Sequence, residues 1–376
     1  MRIVDCRERT VGIGAAMRNA SINFGAMTAS ALALVTDRGI TGYAFDSIGR
    51  YGKGALLRER FIPRLLRAQP ASLLDADGLP DPAAFVHAVM TDEKAGGHGE
   101  RPGAVGLIEA AAWDLRAKMQ GVPLWNSISQ YFRIASPEPM ISVYASCGHF
   151  RTDDILRDEV KRAIDAGYTC VKIKVAGHLA SDLKRLERAA AALPRHATWA
   201  VDVNGALEEK NMRPWLDALA PFKLAWIEEP APPLDYEFLK QCARTSAAPF
   251  ATGENLFSFD DARNLLRYGG LRPARDFVQV DPLLAYGVGE YAKIIALYEA
   301  AGWKRTQFLP HAGHLFAAHC VAGLGLGMAE AAPDASLPYG GYWDRVQVAG
   351  GRVTIPNAPG VGYERKSNLH ALLEFP

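Results

Sequence analysis

Six charged residues recur at the ends of apolar, strand-like runs in the second half of the chain, at a nearly constant interval. Lys174 (VKIK), Asp202 (AVDVN), Glu228 (WIEEP), Glu254 (ATGEN), Asp281 (VQVD) and His311 (FLPH) are 28, 26, 26, 27 and 30 residues apart. A strand, a helix and their two turns take about 30 residues, so each interval holds one βα unit. Units of that kind in succession build a parallel sheet, and in a closed barrel the side chains at the C-terminal strand ends gather on one face. The expected architecture is an α/β fold with these six groups around one mouth.

The segments between them carry helical periodicity. Leu156, Val160, Ala163 and Ile164 share a face from Asp153 to Ala166, and Gly167 ends the run. Leu183, Leu186, Ala190 and Leu193 repeat the pattern, as do Met212, Trp215, Leu216 and Leu219. Strands are expected at 199–202, 224–228, 250–253, 277–281 and 306–310, after a first one in MISVYAS. Cys320 to Gly327 fits a strand or a tight helix equally well. The first half differs: MTASALALVTD and ITGYAF flank Gly39 as a hairpin, and helical patterns follow at 56–68 and 104–119. The expected organisation is an α+β domain over 1–134, a barrel over 135–335, and a Gly- and Pro-rich segment over 336–376 that returns to the first domain.

With 376 residues the chain exceeds one ordinary core, and a barrel plus a smaller domain accounts for the length. Its 42 basic and 41 acidic residues leave a net charge of +1 without long runs of either sign, which argues against nucleic-acid or anionic-membrane partners. Five scattered cysteines without CxxC spacing suggest reduced thiols in the cytoplasm. The absence of a long apolar stretch argues against export and membrane insertion.

Asp202, Glu228 and Glu254 supply hard oxygen donors, the set that suits Mg²⁺, which keeps positions for water or substrate. One acidic residue at a strand end is more often a helix cap or a surface charge; three in succession point to a metal site. Side chains alternate in WIEEP, so Glu228 faces the mouth and Glu229 turns away. Lys172 and Lys174 share a strand face opposite Val171, Ile173 and Val175. Strand-face lysines are usually solvated, but here that face looks into the barrel. Two ammonium groups beside a divalent cation should lower each other's pKa and free one to act as a base. Asp281 would orient the His311 imidazole one unit away. Alone, that histidine would be read as a satisfied core residue. His314 and His319 are weaker candidates, since HAGH lacks the glutamate of a zinc-protease helix. Dinucleotide, Walker and GxSxG patterns are absent.

Lys-x-Lys, then Asp, Glu and Glu on consecutive strands, then an Asp/His dyad, resembles the mandelate racemase subgroup of the enolase superfamily. The helix EAAAWDLRAKMQGVPL is similar to that family's capping domain. GRYGKGALLRERF, EKAGGHGER, ATGENLFSFDDARNLLRYGGLRPARD and PHAGH look most like the D-tartrate dehydratases within it. The resemblance implies an α+β capping domain over a (β/α)₇β barrel of the TIM type, Mg²⁺ held by Asp202, Glu228 and Glu254, and a homo-oligomer. It implies that Lys174 takes the proton α to a substrate carboxylate, with Lys172 as electrostatic partner, to give an enediolate. His311, held by Asp281, would protonate the departing β-hydroxyl, and the resulting enol would ketonise to an α-keto acid. Asn19, Ile48 and Lys94 fall in the specificity loops, Lys94 facing a distal carboxylate, while Asn204, His149 and His314 complete the expected substrate contacts. The alternatives are a racemase or epimerase of 2-hydroxy acids on the same site, and a non-catalytic acid- or metal-binding relative.

Overall fold

Alternating apolar residues in the N-terminal half produce an antiparallel meander. In the computed structural model, which describes residues 1–15, 23–48, 50–97, 99–149, 153–175, 177–331 and 339–374, β1 (Ile3–Gly12) pairs with β2 (Thr28–Thr36), and β2 with β3 (Thr41–Phe45). The hairpin read from the sequence is the β2–β3 pair, with Leu32 opposite Ala44 and Leu34 opposite Gly42. Helix Arg101–Gln120 crosses this sheet and is buried along most of its length, ending in a left-handed cap at Gly121. Two glycines set how closely it packs. A Cβ on Gly42 would lie 2.4 Å from the Ala111 carbonyl, and one on Gly106 would lie 2.1 Å from the Leu283 carbonyl on the other side. The helix is thereby wedged between the meander and the second half of the chain.

The helix expected over 56–68 is broken into Gly54–Leu56 and Ile62–Arg67, with a widened π turn over Leu57–Phe61 between them. Pro63 lacks an N–H to donate backwards, and the turn before it opens.

The second half is a curled parallel sheet. β4 (Met140–Cys147), β5 (Cys170–Lys174), β6 (Thr198–Asp202), β7 (Ile227–Glu228), β8 (Phe250–Thr252), β9 (Phe277–Val278) and β10 (Met328–Ala331) run in the order β10-β4-β5-β6-β7-β8-β9, and β11 (Arg352–Thr354) adds antiparallel to β4. The strand expected at 306–310 is reduced to one parallel bridge between Val278 and Phe308, because Arg305–Gln307 takes a 3₁₀ turn. Backbone bonds from Leu309 N–H to the Val278 carbonyl (2.9 Å) and from Gly327 N–H to the Phe308 carbonyl (3.1 Å) lead from β9 round towards β10. Cys320 to Gly327 is mostly helical: Leu315–Leu324 is a helix, Gly325 caps it in the left-handed region, and β10 follows.

Period-two alternation gives the sheet two apolar layers. Val171, Ile173, Val201 and Ile227 pack outward into the main core, while Tyr144, Cys170, Ala200, Trp226, Ala251 and Leu309 form a separate cluster inside the curl. That cluster floors the polar groups above it. The C-terminal segment ties both halves together. Val361 N–H donates to Asp114 at 2.7 Å, and Phe45 N–H donates to the Tyr363 hydroxyl at 3.3 Å. Among the described residues, no helix is long and apolar enough to cross a membrane.

Candidate active site

Parallel register sets the site. Lys174 pairs across from Asp202, and Asp202 across from Glu228. Glu254 is carried just beyond the end of β8. The ligand oxygens of Asp202, Glu228 and Glu254 lie within 4.8 Å of one another, and all three residues are buried. Burial pushes the Glu228 carboxyl up to about 7, and the surrounding carboxylates add to it against the opposing Lys172 ammonium.

Two lysines answer this charge. Lys174 Nζ lies 2.5 Å from Asp202 Oδ2 and 3.4 Å from Asn204 Oδ1. Lys172 Nζ donates to Glu228 Oε1, lies 3.0 Å from Glu330 Oε1 and 3.7 Å from Asp202 Oδ2, and sits 5.7 Å from the Tyr144 ring centre. Burial alone would depress both ammonium groups, but Asp202 together with Glu254 and Glu228 outweighs it for Lys174, and Glu228 with Glu330 and its other neighbours outweighs it for Lys172. Both pKa values are therefore raised, because carboxylates outnumber lysines here. Asp202, although buried, is held below its ordinary value by Lys174 and Lys172. Trp226 Nε1 and Gln279 Nε2 donate to Glu228 Oε2 at 3.0 and 2.6 Å, which fixes that carboxylate. Four buried carboxylates around two ammonium groups leave surplus negative charge on hard oxygen donors, a set that fits Mg²⁺.

The imidazole side lies beyond Glu254. His311 Nε2 is 3.3 Å from Glu254 Oε2, and Nδ1 is 3.6 Å from Asp281 Oδ2. Burial would lower the His311 pKa, but Glu254 and Asp281 raise it above its ordinary value. Asp281 also serves three other donors: Leu283 N–H at 2.8 Å and His314 Nε2 at 3.2 Å on Oδ1, and the Ser47 hydroxyl at 2.6 Å on Oδ2. His314 Nδ1 accepts the Ala317 N–H at 3.0 Å at the start of its helix, so its proton sits on Nε2, towards Asp281. Arg50 reaches over the same rim, with Nη2 2.5 Å from Asn255 Oδ1 and 3.6 Å from Glu254 Oε1.

Backbone geometry is unusual beside the ligands. Asn204 and Glu229 adopt positive φ, 47° and 41°, which non-glycine residues seldom take. Glu229 turns away from the cluster and accepts Asn255 Nδ2 at 2.8 Å; burial and the neighbouring Glu254 keep its pKa well above the ordinary carboxylate value.

Of the remaining expected contacts, His149 is buried and pushed down to about 3 by burial and by Lys174, so it is neutral, with its ring 6.5 Å from that of Phe24. Ile48 is buried and shares a small cavity wall with Ala312 and His314. Lys94 stands exposed at the surface, and among the described residues no hydrogen bond or ion pair joins it to the cluster. Asn19 lies outside the described residues. Glu330, Ser47 and Arg50 were not anticipated. Glu330 is the penultimate residue of β10, only 19 residues after His311, short of the repeat that marks the other strand ends. Ser47 and Arg50 come from the loop after β3, where no periodicity points to a site.

Comparison with known proteins agrees with this arrangement. The model of the enolase C-terminal domain-like family matches residues 156–368. A 3,6-anhydro-alpha-L-galactonate cycloisomerase from Streptomyces coelicolor is 29% identical over 300 residues, 73% of this chain and 74% of that protein. An L-talarate/galactarate dehydratase from Salmonella typhimurium is 30% identical over 216 residues, 56% of this chain, and the match spans about half (52%) of that protein. A racemase from Streptomyces coelicolor solved with bound magnesium is similar in fold, with a TM-score of 0.79 at 22% identity, covering 97% of this chain and 99% of that one. An L-talarate dehydratase from Polaromonas, complexed with Mg and L-glucarate, gives 0.76 at 24% identity over 95% and 92%. The family match covers more than half of the chain and lies on the curled sheet that carries the carboxylate triad, and so the chain belongs to the enolase superfamily.

Proposed function

We propose that this protein is a Mg²⁺-dependent dehydratase of hydroxylated carboxylic acids, its curled sheet acting as a (β/α)₇β barrel capped by the N-terminal half. The observation that carries this reading is that Lys174 and His311 flank the carboxylate triad from opposite sides, one against Asp202 and the other against Glu254. Bound by Asp202, Glu228 and Glu254, Mg²⁺ would act as a Lewis acid on the substrate carboxylate and, by neutralising Asp202, would loosen the hold on the Lys174 proton. Once that proton has been released to solvent, the neutral Lys174 Nζ takes the α-proton. His311, its pKa raised by Glu254 and Asp281, gives the Nε2 proton to the β-hydroxyl, which leaves as water as the C–O electrons depart. The α,β-enol that remains ketonises to an α-keto acid, so the balance is substrate less one water.

The sequence motifs favour D-tartrate as substrate, and the relatives' names widen the class to acid sugars such as galactarate, talarate and galactonate. Incubating the protein and Mg²⁺ with D-tartrate, galactarate, glucarate and galactonate, and assaying α-keto acid, tests the reading. Keto acid that forms only with Mg²⁺ supports it. A second reading, a racemase or epimerase, is favoured by the same flanking geometry, since a base and an acid on opposite faces can also invert a carbon. Deuterium uptake at the α-carbon in D₂O, with the hydroxyl retained and no keto acid formed, would replace the first reading with the second.

A further inference from the structure

We propose that Ser47, contributed by the N-terminal half, is a positioning residue for the His311 arm of the reaction; this rests on the reading of His311 as the proton donor to the leaving hydroxyl. Ser47 is fully buried, on the loop that leaves β3, and it reaches 234 positions along the chain to donate its hydroxyl to Asp281 Oδ2 at 2.6 Å. That oxygen is the one facing His311 Nδ1 at 3.6 Å. Oδ1 is already taken by Leu283 N–H and His314 Nε2. A carboxylate has about four lone-pair sites, so Ser47, Leu283 and His314 fix the plane and rotation of Asp281 and leave one direction for the imidazole. Among the described residues His311 Nδ1 has no hydrogen-bond partner, and the Asp281 carboxylate at 3.6 Å is the acceptor that it faces.

The neighbours of Ser47 hold it there. Asp46 pairs with Lys53 Nζ at 2.7 Å and accepts the Ser30 N–H, and Ile48 is buried beside His314. Three consecutive residues thus anchor the loop, the middle one on the dyad. Closing the N-terminal half over the barrel and orienting the acid are, on this geometry, one event.

Two arms test the assignment, using full-length protein with Mg²⁺. In the first, ¹⁵N-histidine-labelled wild type, Ser47→Ala and Ser47→Thr are compared by NMR at one fixed pH, without substrate. Ser47→Ala should move the His311 ring-nitrogen resonances and leave in place those of His319, whose ring is held by Trp125 and Val361, and Ser47→Thr, which keeps the hydroxyl, should restore the wild-type pattern. Unmoved His311 resonances in a folded Ser47→Ala protein would overturn the proposal, as would equal shifts at His319. In the second, galactarate turnover and α-deuterium exchange in D₂O are measured side by side. Ser47→Ala should lower kcat for keto-acid formation about tenfold or more, with KM and the Lys174-side exchange little changed. Equal loss of exchange and dehydration would mean a general structural defect and would also overturn it. If wild type dehydrates none of the acids, the dehydratase reading fails on its own, and the NMR arm still decides the role of Ser47.

Discussion

The roles of individual side chains separate cleanly in mutants. Lys174→Ala removes the proposed base but no metal ligand, so keto-acid formation should fall by about 10²–10⁴-fold while Mg²⁺ affinity is retained. Glu254→Gln should do the opposite first, weakening Mg²⁺ binding by at least the roughly 10–100-fold that loss of a supporting partner costs. Isothermal titration beside a keto-acid assay distinguishes the two; metal affinity unchanged in Glu254→Gln would remove it from the ligand set. His319 is a different kind of histidine. Its Nδ1 accepts the Trp125 N–H at 3.0 Å, and Nε2 meets the Val361 carbonyl at 3.1 Å. Burial pushes its pKa from the ordinary 6.5 to about 4. Below 6.5 the unfolded chain binds a proton that the folded chain refuses, so stability from this group is complete above that value. It is lost as pH falls towards 4, by about 1.4 kcal/mol per unit. The difference in unfolding free energy between wild type and His319→Gln should shrink along that window, and a constant difference would refute the buried neutral assignment.

At the scale of elements, the repeat was legible wherever a strand end carried charge. Asp202 and Glu228 stand at the last positions of β6 and β7 because the apolar run before each had to be a buried strand. The interval failed at the far side of the sheet. The run around Phe308 gives only a bridge, since the Arg305–Gln307 turn uses the backbone groups that a longer ladder would need. Glu330 was hidden for a related reason: CVAGLGLG is uniformly apolar, so neither period two nor period 3.6 stands out, and the strand that carries Glu330 could not be placed. Ser47 and Arg50 were invisible because they act on partners more than 200 residues away, and no local pattern encodes that.

Glu109 shows what such distant pairing does for an element. From helix Arg101–Gln120 it accepts the N–H groups of Val288 and Gly289 at 2.9 and 3.0 Å, capping helix Val288–Ala300 from outside. The cap favours a carboxylate, but burial dominates and lifts the Glu109 pKa from 4.5 to about 7. Between those values the folded state binds more protons than the unfolded state, so this group's contribution to stability declines as pH rises from 4.5 through 7. Glu109→Gln should flatten that part of the profile, which urea unfolding at about pH 5 and about pH 8 would reveal.

For the molecule as a whole, Asp114 is the junction. Its carboxylate accepts Tyr43 N–H from β3 at 2.8 Å and Val361 N–H from the C-terminal segment at 2.7 Å, and it pairs with Lys118 at 2.7 Å. Asp114→Ala strands the Tyr43 and Val361 N–H donors, while Lys118 keeps Glu364 at 2.7 Å, and the expected cost is about 1–3 kcal/mol for each donor left unpaired. A loss under 1 kcal/mol in denaturant titration would show that the halves are held by packing alone.

The reach of Ser47 to Asp281 also sets a timetable for biogenesis. Contacts between residues this far apart close late, because the intervening chain must be ordered first. The acid arm should thus be the last part to ripen when the chain refolds from urea, with helical signal returning before turnover does, and any slow docking of the N-terminal meander would be felt as delayed onset of catalysis.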